Sequence, residues 1–118
     1  MAQALKSQTL ETVPMSNEER SLRVDLAAAY RLVDYFGWCE LIYGHLTAHV
    51  PGPEPHFLIN PYGLNYDEVT ASNLVKIDID GKVVEPTRHA VNEAGFVIHS
   101  AIHMLSGTAN RVVMHTHS

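Results

Sequence analysis

The sequence has one cysteine, Cys39, among 118 residues. That excludes an internal disulfide and fits a reducing compartment. Positive charge is also sparse: eight Lys and Arg against thirteen Asp and Glu give a formal net charge of −5, and the basic residues are scattered. A nucleic-acid surface needs clustered cations to displace counterions from phosphates. Attachment to an anionic membrane needs the same clustering. Neither partner is expected. No apolar run approaches the roughly 20 residues that span a bilayer. Met1 to Thr12 hold one Lys, no apolar core and no cleavage pattern, so they do not read as a secretory signal. The expected location is the cytoplasm. No Gly-rich phosphate loop is present, and the length suits one domain.

What the chain has in excess is histidine: eight, against five Tyr and one Trp. Such enrichment points to metal ligation or proton transfer more often than to packing. Met1 to Met15 are polar and aperiodic, and the division expected is a mobile leader over 1–19 followed by a domain over 20–118. Ser16 with Glu19 forms a capping-box pattern. Behind it Leu22, Leu26, Ala29, Tyr30, Val33 and Phe36 recur at helical spacing, and Gly37 offers a left-handed stop.

Between Leu41 and Val50 the pattern alternates. Leu46, Ala48 and Val50 fall on one face of a predicted strand, and His45, Thr47 and His49 on the other, which either lines a pocket or meets solvent. His56 to Asn60 reads as a partner strand ended by the Pro61-Tyr62-Gly63 turn, and Asp67 to Asn73 as a helical turn. Val75, Ile77 and Ile79 alternate into a two-residue Asp80-Gly81 hairpin turn. A second helix is predicted from an Asn92 cap, with Phe96, Val97, Ala101, Ile102 and Leu105 on its apolar side. Arg111 to Ser118 is strand-like again. Hairpins between helices favour a mostly antiparallel sheet with helices packed on it.

His115-Thr116-His117 carries the sharpest chemistry. On a strand, residues i and i+2 project from one face roughly 7 Å apart, close enough for two imidazoles to share a divalent ion. The same spacing also describes two histidines on a solvent-facing edge. A catalytic zinc commonly takes about three protein ligands, so the pair alone is incomplete. Glu93, in the first helical turn after Asn92, fits either a carboxylate favoured by the helix dipole or a general acid/base. His99 and His103, at i and i+4, lack the Glu of an H-E-x-x-H site and read as polar-core or interface residues ahead of metal ligands. Cys39 reads as a core thiol.

The stretches LAAAYRLVDYFGW, LIYGHLTAHV, FLINPYGLNYDEVTASNLVKIDIDG, VNEAGFVIHSAIH and VVMHTHS, in this order from about Arg23 to Ser118, resemble the class II aldolase/adducin family. Their wording is nearer to its adducin-like branch. The resemblance implies an α/β class fold: a three-layer α/β/α sandwich around a mostly antiparallel sheet, incomplete at the C-terminus and assembled as a homotetramer in full-length members. It implies a divalent metal, zinc foremost, held by His115, His117 and a later His that would lie beyond Ser118. The chain as given is therefore expected to lack turnover. Glu93 matches the family's acid/base residue. The implied activity is that of a lyase, reversible C–C cleavage beside a carbonyl of a small hydroxy-carbonyl substrate, with metal-stabilised enediolate chemistry that also serves epimerases and decarboxylases. Gly44, His45, Gly63 and Asn92 match substrate-binding positions. The family's phosphate-binding Gly-Asn pair is here Gly44-His45, and hydroxyl residues before the acid/base Glu are replaced by Val91-Asn92, so phosphate recognition is not expected to carry over intact. The alternative is a non-catalytic, adducin-like assembly and interaction domain.

Overall fold

A computed structural model describes residues 14–107 and 109–118. Residues 1–13 of the expected leader lie outside the described residues. Its last three residues belong instead to the first helix, α1 (Asn17–Tyr35). Ser16 caps α1 by accepting a hydrogen bond from the Glu19 amide at 3.1 Å. Only this half of the capping box forms. The Glu19 carboxylate turns inward and binds Arg23 Nε at 2.9 Å and Lys76 Nζ at 2.7 Å. Two cations outcompete a single backbone amide for a buried carboxylate.

Leu26, Ala27, Tyr30 and Val33 form the buried stripe of α1. Its end is a Schellman turn: the Trp38 amide bonds Val33 O and the Gly37 amide bonds Asp34 O, each at 3.0 Å. Phe36, expected on the buried stripe, is the C-cap residue within that turn. It is exposed and stacked on Trp38.

Four antiparallel strands follow: β1 (His45–His49), β2 (Phe57–Ile59), β3 (Val75–Ile77) and β4 (Val112–His115), ordered β3-β2-β1-β4. A 3₁₀ turn, Tyr66–Glu68, precedes β3, where a helical turn over Asp67 to Asn73 was expected. The hairpin after β3 is wider than two residues. Gly81 N bonds Asp78 O and Asp78 N bonds Lys82 O, and Ile77 pairs with Val83 as a single bridge. The Asp78 carboxylate explains the width, because it accepts from the amides of both Asp80 and Lys82.

The alternation predicted for β1 sets the layers. Leu46, Ala48 and Val50 pack with Leu58, Tyr66, Val69 and Leu74 under α1. The other side of the sheet carries Phe57, Ile59, Val75 and Ile77, and the second helix, α2 (Glu93–Ser106), crosses it. The architecture is therefore the expected α/β/α sandwich. Tyr30 stitches the first two layers together. Its hydroxyl donates to Leu46 O and accepts from the amides of Leu46 and Asn60. It thus occupies the place of the next rung after the Ala48–Leu58 pair, and β1 and β2 separate there.

The helix α2 corrects the sequence expectation. Gly95, His99, Ser100 and His103 are its buried residues. Val97 and Ile102 face outward, as does Leu105, which is 90% exposed, and of the expected apolar side only Phe96 packs inward. The strand beneath explains the rotation. Thr47 is buried in the sheet face that α2 covers and needs hydrogen-bond partners, and the imidazole face of the helix supplies them.

Candidate metal centre

The pairing of β1 with β4 places His45 opposite His115, so both project to the side that α2 covers. The β-ladder ends at His115. His117 leaves the strand, and its amide bonds Trp38 O at 2.7 Å instead of β1. Even so, the His115 and His117 rings lie 5.1 Å apart between centres. Two imidazoles on one tetrahedral ion hold their centres about 5 Å apart when each metal–nitrogen bond is about 2 Å. The pair expected from H-x-H is thus brought together at a separation that suits a shared ion.

A partner that gave no signal in the sequence is Glu40. Its carboxylate accepts from His117 Nδ1 at 2.7 Å, across 77 positions of chain. That fixes the ring orientation and commits Nδ1, so Nε2 is the nitrogen left for an ion. A carboxylate behind an imidazole is the usual outer support of a histidine ligand. The donor chemistry fits a divalent metal, for which His115 and His117 would supply two ligands. Among the described residues no set of three His, Cys, Asp or Glu side chains is arranged to hold an ion.

His45 sits beside the pair, its ring centre 5.5 Å from that of His115. It is 9% exposed, not on a solvated strand face. Burial, and then the facing His115, lower its pKa below the ordinary value. Two glycines make this packing possible. Gly44 has φ +81°, and a Cβ there would sit 2.7 Å from Tyr66 Oη and 2.8 Å from His115 O. A Cβ on Gly95 would lie 2.9 Å from three atoms of the His45 ring. The first turn of α2 therefore closes directly onto His45.

That turn brings the remaining candidates to the same end of the sheet. Asn92 caps α2, accepting from Ala94 N at 3.1 Å. Glu93 follows it, exposed and without an ion pair among the described residues. Gly63 lies in the loop after β2, which is tied to the segment entering α2 by Tyr62 N to Ala90 O at 2.8 Å. Among the described residues, no side chain comes within 4 Å of where a Gly63 Cβ would be.

His99 and His103 are polar-core residues. Both bond Thr47 Oγ1, through Nδ1 at 2.8 Å and Nε2 at 2.9 Å respectively. Cys39 is partly exposed, with its thiol 3.6 Å from the Asp34 carboxylate. Burial, then Asp34, push its pKa up.

Residues 24–118 match the Class II Aldolase and Adducin N-terminal domain. Rat alpha-adducin (Rattus norvegicus) is 46% identical over 110 residues, covering 92% of this chain and 15% of that protein. The crystal structure of an aldolase II superfamily protein from Pseudomonas syringae superposes with a TM-score of 0.83 at 54% identity, covering 88% of this chain and 41% of that one. An L-fuculose 1-phosphate aldolase from Glaciozyma antarctica superposes with a TM-score of 0.80 at 33% identity, covering 97% and 47%. The chain spans less than half the length of these relatives. Sequence and fold agree, and the chain belongs to the class II aldolase/adducin family.

Proposed function

We propose that this domain is the metal-binding part of an aldolase-type lyase, acting on a small hydroxy-aldehyde or hydroxy-ketone. The observation that carries the proposal is the His115–His117 pair, 5.1 Å between ring centres, with His117 Nδ1 already committed to Glu40. A divalent ion held there, zinc foremost, would act as a Lewis acid that polarises a substrate carbonyl oxygen. Glu93 is the proton carrier in this reading. It stands exposed in the first turn of α2, where the helix dipole favours its carboxylate. Its carboxylate would take the proton from the substrate hydroxyl when the C–C bond breaks, and return a proton to the carbon fragment.

His45, Asn92, Gly44 and Gly63 would bound the substrate. A buried, uncharged imidazole at His45 offers a hydrogen bond but no fixed charge, which suits a hydroxyl or carbonyl better than a phosphate. The aldolase identity of the Glaciozyma relative supports the reaction class. A cytoplasmic location and homo-oligomeric assembly complete the proposal.

A second reading has its own support. The 46% identity to rat alpha-adducin fits a domain kept for assembly and interaction without catalysis. Elemental analysis separates the two when run on the longest natural form of the protein beside a His115→Ala/His117→Ala variant. About one zinc or similar ion per chain, lost in the variant, supports the lyase and justifies an aldol-cleavage screen. Metal-free protein in both cases favours the adducin-like reading.

A further inference from the structure

Behind the metal pair, a line of hydrogen bonds runs through the layer between α2 and the sheet. It starts at the Asn110 carbonyl, which lies 3.2 Å from His103 Nδ1. A carbonyl oxygen only accepts, so Nδ1 of His103 carries the proton. Burial lowers the pKa of His103 and brings that of His99 down to about 4, so both rings are neutral at pH 7. His103 Nε2 is then bare and accepts the single hydroxyl proton of Thr47 across 2.9 Å. With its proton spent, Thr47 Oγ1 accepts from His99 Nδ1 across 2.8 Å. The direction of every bond is set by the first carbonyl, and His99 is held as its Nδ1–H tautomer.

The seam continues by packing. The His99 ring meets that of His45 at 75°, centres 5.3 Å apart, and His45 meets His115 at 5.5 Å. On the far side Phe57 stacks on His103, ring centres 4.7 Å apart. Gly95, without a Cβ, seals His45 from above. A His99 ring that turns would press on His45, which lies between it and His115.

We propose that His99 is a positioning residue for the metal pair: Thr47 and His103 lock its ring and tautomer, and it holds His45 against His115. The proposal rests on the metal-site reading above. Its first half, the locked tautomer, is open to measurement without any metal.

Two-bond ¹H–¹⁵N correlation spectra of the histidine side chains in metal-free protein at pH 7.5 report each tautomer. His99 and His103 are expected with the proton on Nδ1 in the wild type and in Thr47→Ser, and Thr47→Val is expected to release His99 from that form. Zinc affinity is then measured by competition with a chromophoric chelator. Thr47→Val is expected to bind about tenfold more weakly, and Thr47→Ser to match the wild type. Should Thr47→Val fail to fold, His99→Asn carries the same expectation for zinc: it keeps a donor toward Thr47 but removes the ring beside His45. A wild-type His99 protonated on Nε2 overturns the lock. Correct tautomers with unchanged zinc affinity in the variants overturn the positioning role and leave the metal site standing. A wild type that binds no zinc removes the metal site, and the positioning role with it.

Discussion

Glu40 and His117 meet at 2.7 Å, carboxylate to Nδ1, and this one contact decides which nitrogen of His117 faces outward. The bond is solvent-accessible, so its contribution to folding is small. Its value lies in orientation. Glu40→Ala is expected to weaken zinc binding about 10- to 100-fold, the range for lost outer partners of histidine ligands. Glu40→Gln, which keeps an acceptor oxygen, should lose less. Chelator competition gives both affinities, and thermal unfolding of the metal-free variants should match the wild type. Equal zinc affinity in Glu40→Ala would mean that His117 is oriented by its backbone alone.

The histidine layer predicts an acid-sensitive fold. Burial, then the neighbouring His45, His103 and His115, bring the pKa of His99 from 6.5 to about 4. Burial also lowers His45, His49 and His103. Each ring is held neutral in the folded state and takes up a proton more readily when unfolded. The stability this represents is full above pH 6.5 and drains away as pH falls toward the folded values. For His99 alone, 3% exposed, the loss at pH 5 is about 2 kcal/mol. Urea midpoints at pH 7.5 and pH 5 should show it, and most of the drop should precede the carboxylate range. Glu19 contributes separately and lower. Burial raises its pKa, but the bonds to Lys76 and Arg23 outweigh that and leave it below the ordinary value. Its share is lost only as pH falls through and below that of a free carboxylate. A midpoint that stays flat from pH 7.5 to 5.5 would contradict the neutral layer.

Several of these features were legible in the sequence, and the reasons are local. The Ser16 cap, the Gly37 stop and the alternation of Leu46, Ala48 and Val50 are encoded within a few residues of where they act. His115 and His117 were paired from strand spacing, and their rings do meet, although His117 lies past the end of β4 with its amide on Trp38 O. The orientation of α2 could not be read in this way. Its apolar residues repeat at helical spacing, and periodicity reports that a face is apolar, not which layer it meets. What turned the helix is the demand of one buried hydroxyl on a strand 52 residues earlier, Thr47 against His99. Glu40 was missed for the same reason, since its partner lies in another part of the chain. Gly44 and Gly63 were named from family resemblance and Gly95 was not named at all, and what Gly44 avoids is a Tyr66 hydroxyl that no local pattern announces.

That last contact supports a paired prediction. Gly44 combines a left-handed φ of +81° with an absent Cβ that would approach Tyr66 Oη at 2.7 Å and His115 O at 2.8 Å. Gly44→Ala therefore meets two penalties, a strained backbone of about 1 kcal/mol or more and a close contact. Tyr66 Oη is itself buried, with no hydrogen-bond partner among the described residues. Tyr66→Phe removes a polar group that burial has left unsatisfied, and it should stabilise the domain by about 1 kcal/mol. In the double variant the Cβ at position 44 still meets the His115 carbonyl but no longer the hydroxyl. Part of the Gly44→Ala loss should then be recovered beyond simple addition, a coupling that a double-mutant cycle of urea unfolding measures directly. Strict additivity would mean that backbone strain and the β4 carbonyl, not Tyr66, keep this position glycine. A destabilised Tyr66→Phe would mean that the hydroxyl has a partner in solution, and the space beside Gly44 would then hold part of the site.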